Sequence, residues 1–176
     1  PTLLTSAAQA MGMARHLSIL RHANPDKELH FMLLGDFADS LTAEQVNDQE
    51  ILAAAKAGIE ALDQHFGGGF LYLHRARAFN HQERCYMGRE RKRGALEALN
   101  RLLLGLPGED VFLYASKAPE SLAGRYAYVI TLDSDTILPP GSALRLIGAM
   151  AHPLQKRQVY RGRLRGKSVL QPRMEV

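Results

Sequence analysis

Two aspartates separated by one residue follow the apolar run that is most typical of a buried strand. Residues 126–132 (YAYVITL) lead directly into Asp133, Ser134 and Asp135. In an open α/β sheet, ligands bind beyond the carboxyl ends of the strands, and carboxylates at positions i and i+2 of an extended chain lie on the same side. A divalent cation such as Mg2+ or Mn2+ suits such a pair when a ligand adds phosphate oxygens. The alternative is that the pair only caps a turn or the helix that begins near Ser142.

A second acidic pair follows another short apolar run. Residues 30–34 (HFMLL) precede Asp36 and Asp39, which the sequence predicts in a loop at the equivalent end of a neighbouring strand. Carboxylates there could accept hydrogen bonds from the ribose hydroxyls or the base N–H groups of a nucleoside. The alternative for isolated acids is a solvated loop. Two acid-bearing strand ends on one sheet edge favour the functional interpretation of both pairs.

Four cations surround a single acid where a third helix is predicted to begin. Arg89, Arg91, Lys92 and Arg93 flank Glu90 within residues 87–94 (MGRERKRG). Cations at a helix N-terminus are disfavoured by roughly 0.3–1 kcal/mol per charge, so the pattern indicates that an anion, typically phosphate, binds among these groups. The alternative is that the helix starts only at the following glycine and the charges form a solvated loop. Nucleic-acid binding is disfavoured, since no aromatic residues interleave with the cations for base stacking.

Together these three segments describe a nucleoside site, a diphosphate site with basic residues and a metal-binding acid pair. That combination suits a nucleotide-diphosphate sugar. The chemistry it would support is the stabilisation of a departing diphosphate by a Lewis-acidic metal and by cationic side chains.

Short apolar runs alternate with helical patterns along the chain, and these elements must position the three segments. The predicted strands are residues 1–4, 30–34, 70–74 and 126–132, and the predicted helices are residues 7–20, 48–65, 90–104 and 142–151. Three glycines, residues 67–69, end the second helix. This alternation indicates an α/β fold with a mostly parallel sheet and helices on both faces, Rossmann-like in its first half.

Length and composition narrow the class of protein. A chain of 176 residues with 46% hydrophobic residues suits one packed domain and excludes intrinsic disorder. A single cysteine, Cys85, excludes an internal disulfide, and no run reaches the roughly 18 to 20 apolar residues that cross a bilayer. Because the chain starts at Pro1 without a signal peptide pattern, we expect a piece of a longer protein. Residues 155–167 carry six Lys and Arg and are predicted to form an exposed basic loop.

Long collinear blocks of the sequence resemble one family. The stretches PTLLTS, LHFMLLGDFAD, FLYLHRARAFN, MGRERKRGALEALNRLL, YVITLDSDTILPPGSALRLIGAMAHPL and VLQPR, in this order, are similar to the glycosyltransferase domain of cyclic β-1,2-glucan synthases. The resemblance implies a GT-A-type fold and the inverting transfer of glucose from UDP-glucose onto a growing β-1,2-glucan. It also implies a large parent protein of the bacterial inner membrane, with this domain on the cytoplasmic face and the membrane contact made by other parts.

The resemblance also implies roles for individual positions on the donor side. These positions match the family's donor-site segments, with uridine contacts from Asp36 and Asp39, phosphate contacts from Lys92, Arg93 and Gly94, diphosphate contact from Asp133, and metal contacts from Asp133 and Asp135. On the acceptor side, Gln171 and Arg173 match a further segment of the family.

The sequence departs from the family pattern at two positions and lacks a nameable catalytic base. Phe79 and Arg89 stand where the family usually has Trp. An inverting transfer needs a general base to deprotonate the acceptor hydroxyl, and the resemblance implies that this residue follows Val176. We therefore expect residues 1–176 to be a single domain that is the donor-binding half of a larger glycosyltransferase domain. We expect it to bind nucleotide weakly and to turn over no substrate alone.

Two other functions remain as alternatives. A haloacid-dehalogenase-type phosphatase also has an Asp-x-Asp at a strand end, with the first aspartate as nucleophile, but it prefers Thr or Val where Ile137 stands and has its further motifs downstream. A non-catalytic nucleotide-binding or partner-binding module would bind without a metal and tolerate Asp133→Asn.

Overall fold

The computed structural model describes residues 1–107, 111–155, 158–160, 163–165 and 168–172, with the backbone alone for 158–160 and 163–165. In chain order the elements are β1 (Thr2–Leu4), α1 (Ala7–Ala23), β2 (Phe31–Phe37), α2 (Asp48–Phe66), β3 (Phe70–Arg75), β4 (Ala78–Asn80), β5 (Cys85–Met87), α3 (Arg91–Leu103), β6 (Phe112–Ala115), α4 (Ser142–Ala151), β7 (Gln158–Tyr160) and β8 (Arg163–Arg165). Within these ranges, none of the helices has the length and apolar character needed to cross a membrane.

A four-stranded, mostly parallel sheet organises the chain. Its order is β1-β2-β3-β6. The first three strands run parallel, whereas β6 is antiparallel to β3 and meets it across a register shift beside Arg75. The carboxyl ends of β1, β2 and β3 therefore lie at the same edge of the sheet, as the sequence predicted for a ligand-binding edge.

Helices cover both faces of this sheet, which confirms the predicted fold class. Alternate residues of β2 and β3 point to opposite faces. Leu33, Phe70 and Tyr72 pack with α1 and α2 on one face, and Leu34, Leu71 and Leu73 pack with α3 on the other. Strands buried on both sides in this way read as continuous apolar runs, which is why HFMLL and FLYLH were recognisable as strands.

The helix boundaries follow local signals in the sequence. The hydroxyl of Ser6 accepts a hydrogen bond from the Gln9 N–H at 3.2 Å and caps α1. Gly67 ends α2 in the left-handed conformation, with φ at 70°. The buried Asn24 ends α1, and its side-chain oxygen accepts from the backbone N–H of Ala143 at 3.0 Å, so it joins the end of α1 to the start of α4.

The second strand is longer than its sequence predicts. Residues 35–37 were predicted as the start of a loop, but they belong to β2 because both neighbouring strands pair there. Thr2 of β1 lies opposite Gly35 and Leu4 opposite Phe37, and β3 pairs as far as Asp36. Asp36 is consequently a strand residue with its side chain buried. Strands β4, β5 and β6 were not predicted, since each has only three or four residues and no clear periodicity.

The prediction of a strand over residues 126–132 is wrong. This segment has no strand pairing and borders a cleft of about 580 Å3 that is also lined by Leu33, Leu34 and Leu71. Leu132 packs against the hydrophobic core between the sheet and helices α1 and α2. Tyr126 packs against the core between the sheet and α3. An apolar run gives a strand only where a neighbouring backbone accepts its hydrogen bonds. Here the segment has no such neighbour among the described residues, and its side chains are half-buried or exposed.

The predicted exposed basic loop at residues 155–167 contains regular structure. Gln158–Tyr160 and Arg163–Arg165 form an antiparallel pair, with Val159 opposite Leu164, so the loop prediction is wrong for these two triplets. The remaining cations of this stretch, Lys156, Arg157, Arg161 and Lys167, lie outside the described residues.

A buried histidine gives the fold a testable pH dependence. His74 has no solvent exposure, and its Nδ1 shares a hydrogen bond with the Tyr72 hydroxyl at 2.9 Å. Its Nε2 is without a hydrogen-bond partner among the described residues. Burial lowers the pKa of His74 from 6.5 to about 4.

We expect the free energy of unfolding to fall by roughly 2 kcal/mol between pH 7 and pH 5. In that window the unfolded chain binds a proton at His74 that the folded chain excludes, so stability is complete above the unfolded pKa and is lost as the pH falls. Urea denaturation at both pH values checks this. His74→Gln should flatten the dependence and His81→Gln, at an exposed position, should keep it. Equal slopes for all three proteins would contradict the assignment.

Candidate functional site

Charged residues lie at the carboxyl ends of two neighbouring parallel strands, β2 and β3. Asp36 is the penultimate residue of β2, Arg75 is the last residue of β3, and Asp39 and Arg77 lie just beyond these strands. The sequence analysis identified Asp36 and Asp39. It missed Arg75 and Arg77, although two cations at positions i and i+2 directly after the buried run FLYLH are a visible signal.

Asp36 and Arg75 form a buried ion pair between neighbouring strands. The Arg75 Nε donates to one carboxylate oxygen of Asp36 at 2.7 Å and Nη2 to the other at 2.5 Å, and both residues are less than 10% exposed. This bidentate geometry is the strongest that a guanidinium and a carboxylate make. Each oxygen of Asp36 accepts one of these hydrogen bonds, and the predicted contact of this carboxylate with a nucleoside stays a prediction.

The same guanidinium holds the turn that precedes α3. Arg75 Nη1 donates to the carbonyl of Arg89 and Nη2 donates to the carbonyl of Arg91, each at 2.9 Å. The turn closes with a hydrogen bond from the Arg91 N–H to the carbonyl of Gly88 at 2.9 Å. Segment 88–91, here called the basic turn, therefore depends on a side chain from the end of β3.

The basic turn has an unusual backbone. Glu90 and Arg91 have φ values of 53° and 49°, in the left-handed region that costs non-glycine residues roughly 1–2 kcal/mol each. Two glycines allow the close packing around it. A Cβ on Gly88 would lie 2.7 Å from an Asp36 oxygen, and one on Gly94 would lie 2.1 Å from the carbonyl oxygen of Arg89. Gly94, predicted to contact phosphate, is thus required by the packing of the turn itself.

The start of α3 brings two cations against two of the predicted acids. Arg91 pairs with Asp39 at 2.8 Å, and the Lys92 ammonium hydrogen-bonds to Asp133. Asp39 follows β2 and Asp133 follows the unpaired segment 126–132, so residues far apart in sequence converge here. The sequence predicted Asp39, Lys92 and Asp133 as parts of one site. The structure shows two ion pairs made by adjacent residues of α3, here called the cluster, and the shared site stays a prediction.

Arg93 and Asp135 are placed at the margin of this cluster. Arg93 is mostly exposed and pairs with Glu90 at 2.6 Å, on its own side of the helix start. Asp135 is exposed on the turn that follows Asp133. The predicted contacts of Arg93 with phosphate and of Asp135 with a metal stay predictions. On the predicted acceptor side, Gln171 is exposed and its role also stays a prediction, whereas Arg173 lies outside the described residues.

The acid pair at 133 and 135 would leave a cation with few protein ligands. Among the described residues there is no group of three or more His, Cys, Asp or Glu side chains that could hold a metal ion. The hydrogen bond and the charge of Lys92 lower the pKa of Asp133, so this carboxylate is ionised at neutral pH. The donor chemistry, up to two carboxylates, fits an ion whose remaining ligands are phosphate oxygens and water.

A cavity of about 410 Å3 opens next to Asp39, beyond the ends of β1 and β2. Its polar lining includes Thr5, Ser40 and Gln45. One wall contains a second buried ion pair, in which Arg77 donates to Asp48 at 2.6 Å. The size of this space suits one nucleoside or sugar unit, and hydroxyl, amide and carboxylate groups can both donate and accept hydrogen bonds there.

The second ion pair fixes the loop that borders this cavity. Arg77 also donates from Nε to the carbonyl of Ala38 at 2.7 Å and from Nη1 to the carbonyl of Ala43 at 3.3 Å. Its guanidinium lies 4.6 Å from the ring centre of Phe37. Gln45 donates to the hydroxyls of Ser40 and Thr42 within the same loop. Sequence reasoning missed these residues because single polar side chains in a loop carry no periodic signal.

Comparison with known proteins gives one informative result. No protein-family model matches the chain. The curated cyclic beta-(1,2)-glucan synthase NdvB of Rhizobium meliloti is 37% identical over 182 residues, a match that covers 99% of this chain. The chain spans about 6% of the length of that relative. It is therefore related, over almost its whole length, to one short segment of a cyclic β-(1,2)-glucan synthase.

Proposed function

We propose that this chain is the donor-binding part of a glycosyltransferase that transfers glucose from UDP-glucose onto a growing β-1,2-glucan. The observation that carries the proposal is that Arg91 and Lys92, at the start of α3, pair with Asp39 and Asp133, and that Asp39 follows a parallel strand at the carboxyl edge of the sheet. The relation to a cyclic β-(1,2)-glucan synthase supports the choice of sugar and linkage.

The nucleoside would occupy the cavity beside Asp39. Its carboxylate can accept hydrogen bonds from ribose hydroxyls or from the N–H of the base, while Ser40 and Gln45 offer both donors and acceptors. Arg77 and Asp48 neutralise each other at the wall, so the cavity presents dipoles and one carboxylate to an uncharged base. Such a lining suits uracil, whose edge carries one N–H between two carbonyl oxygens.

The diphosphate would bind between the start of α3 and Asp133. Lys92 is half-exposed and can turn from Asp133 to a phosphate oxygen, where it would form a charge-assisted hydrogen bond. The N–H groups of the first turn of α3 add the positive end of the helix dipole. Arg93, which is mostly exposed, can reach the same anion after leaving Glu90.

Asp133 and Asp135 would hold Mg2+ or Mn2+ together with the diphosphate. A bound divalent ion would supply Lewis-acid stabilisation of the negative charge that develops on the leaving diphosphate. The chain's own contribution is to neutralise and orient that group with Lys92 before the acceptor hydroxyl attacks. Binding of the nucleotide releases Asp133 from Lys92, so metal and nucleotide are expected to bind cooperatively.

We expect UDP binding to require the metal and the acid pair. Calorimetric titration of UDP into the chain should show at least tenfold weaker binding without Mn2+, equivalent to about 1.4 kcal/mol. The double variant Asp133→Asn/Asp135→Asn should lose the effect of Mn2+. Glu60→Gln is the matched control, since Glu60 is a similarly exposed carboxylate paired with a lysine. Binding that is indifferent to Mn2+ and to the double variant would favour a non-catalytic nucleotide-binding module.

We expect Lys92→Met to weaken binding of UDP by about tenfold or more and to leave binding of uridine nearly unchanged, because a hydrogen bond to a charged group contributes about 1.5–3 kcal/mol. Titration of both ligands measures the difference. Lys56→Met is the control, as the side chains of Lys56 and Lys92 are 51% and 52% exposed. A uridine affinity that falls as much as the UDP affinity would contradict a phosphate contact at Lys92.

A further inference from the structure

One guanidinium connects the sheet to the start of α3. Arg75 donates to both oxygens of Asp36 and to the carbonyls of Arg89 and Arg91, all at 2.5–2.9 Å. A guanidinium carries five N–H donors in a rigid plane. The three nitrogens of Arg75 can therefore donate at the same time to the carboxylate of Asp36 and to the two carbonyls of the basic turn. A lysine in the same place could provide its charge but not this planar arrangement.

The basic turn would not adopt its conformation unaided. Two successive non-glycine residues, Glu90 and Arg91, are left-handed, and four cations follow one another closely at the positive end of a helix dipole. Both features disfavour the observed backbone. Its two carbonyl contacts with Arg75 hold it against the sheet, together with the close approach of Gly88 to Asp36 and the ion pair of Arg91 with Asp39.

The conformation of this turn determines where the next two side chains lie. Arg91 reaches Asp39 beyond β2, whereas Lys92 reaches Asp133 on the far side of the cluster. Successive helical residues differ by about 100° around the helix axis, so a rotation of the helix start by one residue would remove both contacts. A buried ion pair adds little net stability compared with apolar packing. The main effect of this pair is therefore on the geometry of the turn and not on the stability of the fold.

We infer that Asp36 and Arg75 are positioning residues for the diphosphate site: their buried ion pair holds the basic turn in the conformation that directs Arg91 and Lys92 into the cluster. This inference rests on the proposed function for the identity of the ligand. It assigns to Asp36 a role through Arg75 and the turn instead of a direct nucleoside contact.

The experiment compares two equally buried arginines. Arg75→Lys keeps the positive charge and removes the planar guanidinium. Arg77→Lys makes the same change two residues later, where the hydrogen bonds go to Ala38, Ala43 and Asp48. Titration of UDP and uridine should show that Arg75→Lys weakens UDP binding at least tenfold while uridine binding changes less than twofold. Arg77→Lys should change both affinities by the same factor.

A second measurement needs no nucleotide. Amide hydrogen exchange over residues 88–94 should be at least tenfold faster in Arg75→Lys than in the wild type, whereas exchange in the middle of α2 should be unchanged. The hydrogen bonds from the Arg91 and Gly94 N–H groups to the carbonyls of Gly88 and Glu90 are the reporters. Asp36→Asn should reproduce both effects.

The outcomes separate this inference from the proposed function. A wild-type chain that binds no UDP overturns the proposed function, and the exchange data alone then decide the role of Arg75. Unchanged exchange over residues 88–94 in Arg75→Lys overturns the inference. So does an equal loss of UDP and uridine binding, or exchange that rises throughout the chain, because either result indicates a purely structural ion pair.

Discussion

The contact between Arg75 and Asp36 is the interaction on which the carboxyl edge of the sheet depends. Burying two charges is costly, and here the cost is offset because every acceptor around the guanidinium is aligned, with a carboxylate on one side and two backbone carbonyls on the other. Gly88 has no side chain where a Cβ would collide with Asp36. The strand end, the basic turn and the first residue of α3 are thereby joined by one set of hydrogen bonds.

Electrostatics at this edge are arranged in pairs. The buried pairs, Arg75 with Asp36 and Arg77 with Asp48, shape the backbone, whereas the exposed pairs, Arg91 with Asp39 and Lys92 with Asp133, involve side chains that water can reach. Exposed pairs contribute little to stability and exchange partners readily. Under the proposed function, the buried pairs hold the backbone around the site in place. The exposed pairs provide the charged groups that would contact the ligand.

The relation to a segment of a cyclic β-(1,2)-glucan synthase agrees with this arrangement without explaining it. Identity of 37% indicates a shared fold, but the chemistry has to be argued from the site. Here the departure at Arg89 has a simple consequence. The turn holds this residue by its backbone carbonyl, so the hydrogen bond from Arg75 is one that any residue at this position can accept.

The sequence by itself determined the strands HFMLL and FLYLH and the four helices, because apolar periodicity and helix caps are local signals. It also singled out Asp39, Asp133 and the cations at the start of α3, which form ion pairs in the structure. Tertiary structure alone decided three matters. Pairing with β1 and β3 extended β2 and buried Asp36, residues 126–132 had no neighbouring strand among the described residues to pair with, and Arg75 selected the conformation of the basic turn. Each depends on contacts between residues distant in the chain, which periodicity and composition do not encode.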